Sequence, residues 1–173
     1  VAEWLRGLSV DQLFAAYADG MWGSSGMISV PRMFAEGHVL PEGDMHDRFA
    51  AGDHHQVPLI LGANRDEQKL FLYSDPEHVR QWLGFLPRLR DPERYEVVAG
   101  IMSRAWRANS VDELALRTRR VQGPSVFAYR FDWDEEPTVL GADLSKMLGA
   151  AHALEIPFVF GHWKLGAQGD RLF

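Results

Sequence analysis

The sequence predicts an α/β fold with a mostly parallel sheet flanked by helices. Two runs indicate strands: VPLILG (57–62), a continuous apolar stretch between turn residues, and SVFAYRFDW (125–133), rich in aromatic and β-branched residues. Several helical stretches separate them, and the order strand, helices, strand is typical of a parallel sheet. Only two or three strands are visible, so we expect residues 1–173 to form a single partial domain whose sheet is incomplete.

Helices are predicted where apolar residues recur at helical spacing between turn signals. The first follows Ser9, which can cap it, and runs to Gly20 with Leu13, Phe14 and Tyr17 on one face. The other helices that turn signals bracket are expected near Asp44–Ala51, Arg65–Tyr73 (capped by Asn64), Pro92–Arg107, Val111–Val121 and Asp143–Leu148.

Two further segments have weaker patterns. Pro76, at a first-turn position, predicts a helix in which Val79, Trp82, Leu83 and Phe85 point inward. Residues 21–56 are rich in Gly, Pro and His and lack sustained periodicity outside their one short helix. Because a loop of that length is uncommon inside a compact domain, we expect it to form a wall or lid.

Composition excludes several classes of function. The net charge is −6 with a pI near 5.6, so there is no basic footprint for nucleic acid. The chain has no cysteine, which excludes disulfides and thiolate metal sites and favours a reducing compartment such as the cytoplasm. No apolar run approaches the roughly 20 residues that span a bilayer. The first residues are not a signal peptide, although one could precede Val1.

Two segments carry candidate catalytic residues. VPLILGANRDE (57–67) is a strand that ends in acid, and GAAHALEIPFVFG (149–161) carries His152, 85 residues after Glu67 (152 − 67). A carboxylate beyond the carboxyl end of a strand, followed later by a histidine, supplies two members of a hydrolytic triad. Spacing alone leaves Asp66 open as the acid, and the helix dipole favours either carboxylate at this position without any catalytic role.

The third member of a triad, the nucleophile, is missing. No serine has glycine two residues away on both sides, as a Gly-x-Ser-x-Gly turn requires; Ser25 and Ser125 have one only on the preceding side. We therefore expect no nucleophile in this chain and no activity from the chain alone.

Four segments together resemble the type-B carboxylesterases, the cholinesterase and para-nitrobenzyl esterase family of α/β-hydrolases. They occur in the family's order, as EGHVLP (36–41), VPLILGANRDEQKLF (57–71), FAYRFDW (127–133) and HALEIPFVFG (152–161). The resemblance implies the C-terminal part of an α/β-hydrolase fold, truncated at both ends. It places the nucleophilic serine upstream of Val1 and further helices after the last residues, DRLF. It also implies a serine esterase that needs no cofactor and whose partner is a small-molecule ester, and it leaves the oligomeric state unknown.

The resemblance also assigns roles to individual residues. It implies that Glu67 is the triad acid and His152 the base, and that the carboxylate of Glu155 supports the site from behind. Leu70 and Phe71 match positions that line the acyl pocket or gorge wall and are the implied substrate-binding residues. The sequence departs from the family at two glycines, which are replaced by Gln68 and Ala153.

Other functions remain open beside the esterase. The family includes cholinesterase-like adhesion proteins, so a catalytically silent binding protein is the main alternative, and an independent module is a third. Retention of both Glu67 and His152 favours the enzyme. A polar loop also holds five side chains of metal-ligand type, but adjacent histidines on such a loop are usually solvated and no metal is expected. These side chains are Asp44, His46, Asp53, His54 and His55.

Overall fold

The structure is a computed structural model that describes residues 2–15 and 35–161. The chain divides into two compact units, Val1–Pro41 and Glu42–Phe173, which are treated separately below. The single partial domain that the sequence predicts stays a prediction.

The first unit contains helices α1 (Ala2–Arg6) and α2 (Val10–Ala15). The predicted cap of α2 is confirmed, because the Ser9 hydroxyl accepts a hydrogen bond from the amide of Gln12 at 3.2 Å. The Gln12 side chain accepts from the amide of Ser9 at 2.9 Å, which completes a reciprocal capping box. The expected continuation of this helix to Gly20, including Tyr17, lies outside the described residues.

The second unit carries the remaining elements. Its helices are α3 (Met45–Ala51), α4 (Lys69–Tyr73), α5 (Pro92–Arg107), α6 (Glu113–Gln122), α7 (Leu144–Met147) and α8 (Ile156–Phe160). Its strands are β1 (Leu59–Asn64), β2 (Val79–Trp82), β3 (Leu86–Leu89), β4 (Val126–Phe131), β5 (Thr138–Val139) and β6 (Ala142–Asp143). The helices predicted near 44–51, 92–107, 111–121 and 143–148 are confirmed to within about two residues at each end.

The strands pair two by two. β1 lies parallel to β4, in a register that runs from Leu59 beside Val126 to Asn64 beside Phe131. The pairs β2–β3 and β5–β6 are antiparallel hairpins. The architecture is therefore broadly α/β, as predicted, but only one of the three strand pairs among the described residues is parallel.

The first strand is not buried on both faces, contrary to the expectation from its continuous apolar run. Ile60 is 72% exposed, and its neighbour in β4, Phe127, is 59% exposed. These two side chains are adjacent in register, so one face of the parallel pair is left uncovered by the described residues. Burial on both faces would require further elements packed on that side.

Gly62 is required by close packing across this pair. A Cβ atom at Gly62 would lie 1.9 Å from Cζ of Tyr129, the residue directly beside it in β4. The Tyr129 ring thus lies over the glycine, and a larger residue would force the ring away.

The helix predicted from Pro76 is wrong, because the chain forms the β2–β3 hairpin there. Leu83 and Gly84 adopt φ values of 53° and 78°, and two successive positive φ values define the tight turns that join antiparallel strands. An α-helix cannot contain them. Trp82, Leu83 and Phe85, expected to point inward, are 51–67% exposed.

The main apolar core packs the hairpin against the helices. Tyr95 on α5 is fully buried, and its hydroxyl lies 2.6 Å from the carbonyl oxygen of Met147 and 3.1 Å from that of Lys69. It thereby ties α5 to α7 and α4, and its burial raises the pKa of the phenol. The buried members of this core are Leu72, Val79, Leu86, Tyr95, Ala99, Ala142 and Met147.

Glu136, between β4 and β5, is a buried carboxyl group that is only 5% exposed. Among the described residues, neither of its side-chain oxygens has a hydrogen-bond partner. The pKa of Glu136 is raised to about 7, chiefly by burial; the charge of Asp134 acts in the same direction, while the residue's own backbone amide and the charge of Lys69 oppose the shift. The ionised form of Glu136 is therefore a local cost to the fold.

This cost predicts a pH dependence of stability. The folded-state pKa of Glu136 lies above the ordinary glutamate value of about 4.3, so the folded state binds the proton more tightly than the unfolded state. Its contribution to the free energy of unfolding must then fall as pH rises from about 4 to 7. We expect Glu136→Gln to remove that part of the slope, and to raise stability by roughly 1–2 kcal/mol at pH 8, in urea unfolding.

The matched control is Glu135→Gln, since the neighbouring side chain is exposed. It should leave the pH profile of unfolding unchanged. Equal slopes for the wild-type protein and Glu136→Gln would show that Glu136 is not protonated preferentially in the folded state.

Candidate active site

The site begins where β1 and β4 end side by side. The amide of Arg65 donates to the carbonyl oxygen of Phe131 at 2.9 Å, which extends the pairing by one residue. The chain then turns through residues 65–68 before α4 starts at Lys69. The helix predicted over 65–73 thus begins later than expected, and Asn64 is the last residue of a strand rather than a helix cap, because its side-chain amide binds another segment.

The turn at residues 65–68, called the acid turn below, places Glu67 against His152. Oε2 of Glu67 lies 2.7 Å from Nδ1 of His152, while Oε1 accepts a hydrogen bond from the amide of Asn64 at 2.8 Å. Glu67 is 5% exposed, and the His152 side chain is about one-third exposed. A buried acid with both oxygens occupied thus holds one nitrogen of a histidine that solvent still reaches.

This geometry determines the protonation of the imidazole. A carboxylate can only accept, so Nδ1 carries the proton and Nε2, on the other side of the ring, is the free base of the neutral histidine. The hydrogen bond that His152 donates to Glu67 raises the pKa of His152; burial opposes that shift, and the charges of Glu67 and Glu155 add to it. Because the folded-state pKa is raised, the pair stabilises the fold fully below about pH 6.5, and this stabilisation is lost as pH rises through the folded pKa.

Asn64, which is 2% exposed, makes further hydrogen bonds between β1 and the segment that carries His152. Its side-chain nitrogen donates to the carbonyl oxygen of Ala151 at 2.7 Å and to Oε2 of Glu155 at 2.5 Å. These bonds fix the residues immediately before and shortly after His152. They also give the half-buried carboxylate of Glu155 a hydrogen-bond partner. Sequence reasoning missed this role because an Asn before a turn usually serves as a local cap.

Asp66, the alternative acid, faces a different group. Its amide donates to the carbonyl oxygen of Ala150 at 3.0 Å, and its Oδ2 accepts from the amide of Ala150 at 3.2 Å. Oδ2 also accepts from Nε of Arg65 at 3.0 Å. A Cβ at Gly149 would lie 2.6 Å from this oxygen, so the glycine allows the approach. In the structure, therefore, Glu67 and not Asp66 contacts His152.

Two aromatic rings lie beside the imidazole of His152. The rings of Phe71 and Trp106 each lie 5.5 Å from that of His152, centroid to centroid, and 6.1 Å from each other. Phe71 was singled out from the sequence, whereas Trp106 was not, because it lies on a helix far from both motifs. Leu70, the other implied wall residue, instead packs against the buried cluster of Leu148, Ala151 and Leu154.

The two departures from the family pattern have different consequences. Ala153 adopts φ = 70°, a conformation that costs a residue with a Cβ about 1–2 kcal/mol, so this position accommodates alanine with strain. Gln68 needs no glycine-like backbone; its φ is −78°, and its amide donates to the hydroxyl of Ser103 at 3.1 Å.

The polar loop of candidate metal ligands does not form a cluster. Asp44 caps α3 by accepting from the amide of His46 at 2.7 Å, and Asp53 pairs with Arg48. The His54 ring lies 4.7 Å from that of Phe49 in a tilted arrangement, and no group of three or more metal-ligating side chains is found within residues 2–15 and 35–161.

Comparison with protein-family models finds no match for the chain, and comparison with curated proteins finds none either. No helix in the described part of the chain is both long and apolar enough to span a bilayer. What the site does must therefore be argued from its own geometry and from the sequence segments that surround it.

The pKa of His152 provides a direct test of the acid–histidine bond. In Glu67→Gln we expect this pKa to fall, because the chief cause of its upward shift is removed while burial, which lowers it, remains. A pH titration of the His152 ring protons by NMR measures the change. Glu77→Gln, on an exposed position, should leave the titration unchanged; an unaltered His152 pKa in Glu67→Gln would contradict the geometry.

The two side-chain hydrogen bonds of Asn64 can be tested by replacing the residue with alanine. Asn64→Ala removes both side-chain bonds and leaves the carbonyl of Ala151 and the carboxylate of Glu155 without this donor, so we expect a loss of about 2 kcal/mol. Urea unfolding measures the loss, and hydrogen exchange should accelerate at residues 151–155. The matched change Asn109→Ala, on an exposed side chain, should stay within about 0.5 kcal/mol of the wild type.

Proposed function

We propose that this chain supplies the acid and the base of a serine carboxylesterase, and that the nucleophilic serine comes from residues outside it. The observation that carries the proposal is the 2.7 Å bond between the buried Glu67 and Nδ1 of a partly accessible His152. This arrangement leaves Nε2 free to take a proton, which is the task of the histidine in a triad.

The reaction follows from that geometry. Nε2 of His152 removes the hydroxyl proton of the serine as its oxygen attacks the ester carbonyl, and Glu67 stabilises the imidazolium that forms. The same proton is then given to the leaving alcohol, and an acyl-enzyme remains. Water, deprotonated by His152, attacks the acyl group, and the carboxylic acid and free serine are regenerated. No step requires a cofactor.

Two further facts support an ester hydrolase. The four segments that resemble type-B carboxylesterases include both residues of the pair, and the proposal extends to the α/β-hydrolase fold of which this chain would be the C-terminal part. In addition, no serine hydroxyl in the described part of the chain hydrogen-bonds to His152, which agrees with a nucleophile supplied from elsewhere. The chain alone is accordingly expected to be inactive.

The second candidate is a catalytically silent relative that binds a partner. Its discriminating feature is the coding sequence upstream of Val1. A Gly-x-Ser-x-Gly turn there supports the enzyme, whereas Gly or Ala in place of the serine supports the binding protein.

His152→Ala in the protein encoded by the complete reading frame tests the proposal. We expect kcat for p-nitrophenyl acetate to fall on the order of 10⁴–10⁶-fold, because loss of the base disables the whole triad. His55→Ala, which truncates an exposed histidine, is the control and should retain full activity. Near-normal turnover by His152→Ala, or no esterase activity in the wild-type protein, would rule the proposal out.

A further inference from the structure

An open groove of about 410 Å³ lies next to the aromatic side of the site. Its volume is within the range of pockets that hold small organic molecules. Most of the groove belongs to the end of α5 and to the turn that follows. Its walls are formed by Gln68, Met102, Ala105, Trp106, Asn109 and Ser110.

An unusual backbone conformation builds one end of this groove. Residues Ala108–Asp112, between α5 and α6, form a π-helical turn, and Asn109 and Ser110 on this turn line the groove. π-helical turns are rare and occur frequently at functional sites. On α5, Met102 and Trp106 are four residues apart and so lie on one face of the helix. This face lines the groove.

The groove is continuous with the proposed catalytic pair. Trp106 lines it and also lies 5.5 Å from the ring of His152. Gln68, at the other wall, directly follows the acid Glu67, and its amide is bound to the hydroxyl of Ser103 on α5. The groove and the pair are therefore held in one arrangement by the same turn and helix.

The lining specifies the chemistry of the ligand. Its six residues include no charged side chain, and the largest side chain among them is the indole of Trp106. Aromatic faces favour another aromatic ring over an aliphatic group of similar size, by stacking. The only polar groups are amides and a hydroxyl, which do not offset the cost of removing a charge from water.

We propose that this groove binds the aryl portion of a neutral ester, with the ester carbonyl placed beside His152. This inference rests on the proposed function, because it assigns the substrate class of the same site. It gives Trp106 the role of a specificity-determining residue.

Binding can be measured on this chain without any catalysis. Acetophenone carries the aryl and carbonyl groups of an aryl ester but cannot be hydrolysed, and butanone carries the carbonyl group alone. We expect acetophenone to shift the NMR signals of the Trp106 indole and the His152 ring in a saturable manner, and to bind at least several-fold more tightly than butanone. Trp106→Ala should weaken acetophenone binding about ten-fold, and Trp106→Phe should retain most of it.

Two further variants test whether acetophenone binds in this groove and not elsewhere on the surface. Trp82→Ala removes an exposed indole outside the groove and should change the affinity less than two-fold. Ala105→Trp, at an exposed helical position, should fill the groove and abolish binding without disturbing the core. Equal affinities for acetophenone and butanone, or unchanged acetophenone affinity in Trp106→Ala and Ala105→Trp, would overturn the proposal.

Two outcomes distinguish an error in the groove assignment from an error in the proposed function. If the full-length protein hydrolyses phenyl acetate and Trp106→Ala leaves its aryl preference intact, the groove assignment is wrong and the esterase stands. If acetophenone binds at Trp106 but the full-length protein hydrolyses no ester, the proposed function is wrong and the substrate assignment falls with it.

Discussion

The structure of the site depends on one buried residue, Asn64. Its backbone nitrogen binds the acid Glu67, and its side chain binds the segment that carries His152. Glu67 and His152 are 85 residues apart, so bringing them together costs loop-closure entropy in addition to the ordering of both segments. Asn64 is 2% exposed, its backbone amide is bound at the Glu67 end of that loop and its side chain at the His152 end, and these bonds stabilise the closed arrangement without occupying the imidazole.

Three carboxylates lie on the turn at residues 65–68 and on the histidine segment, and each accepts from different donors. Asp66 accepts from the amide of Ala150, Glu155 accepts from Asn64, and Glu67 alone accepts from the imidazole. Unpaired carboxylates on neighbouring segments would repel one another. With Asp66 and Glu155 each held by a donor of its own, Glu67 is free to hold the imidazole in one tautomer.

The sequence was sufficient for features that local patterns determine. Asp91 and Asp143 cap α5 and α7, and their helices lie near where turn signals place them. It also narrowed the acid to two neighbours, but choosing Glu67 over Asp66 needed either a family resemblance or the contact itself. Spacing cannot make that choice, because both carboxylates follow the same strand within two residues and only the turn geometry aims one at His152.

Other features were not predictable because they arise from tertiary contacts or backbone strain. Leu83 adopts φ = 53°, which turns a helix-like apolar pattern into a hairpin, and no propensity favours a leucine in that conformation. Trp106 has a local signal, its four-residue spacing from Met102, but that spacing identifies a helix face and not what the face contacts. Only the crossing of α5 over the acid turn brings the indole to His152.

The uncovered face of the parallel pair and the missing nucleophile have a common physical explanation within the proposed function. Ile60 and Phe127 are adjacent and largely exposed on a parallel pair, a kind of sheet that is normally covered on both faces. Apolar side chains exposed side by side mark a surface that another element covers in the working protein. In the proposed esterase, the elements that cover this face and the strand–turn–helix that carries the serine both lie outside this chain. The sheet and the triad are then completed together, since a nucleophile placed by a neighbouring parallel strand emerges at the same edge as Glu67.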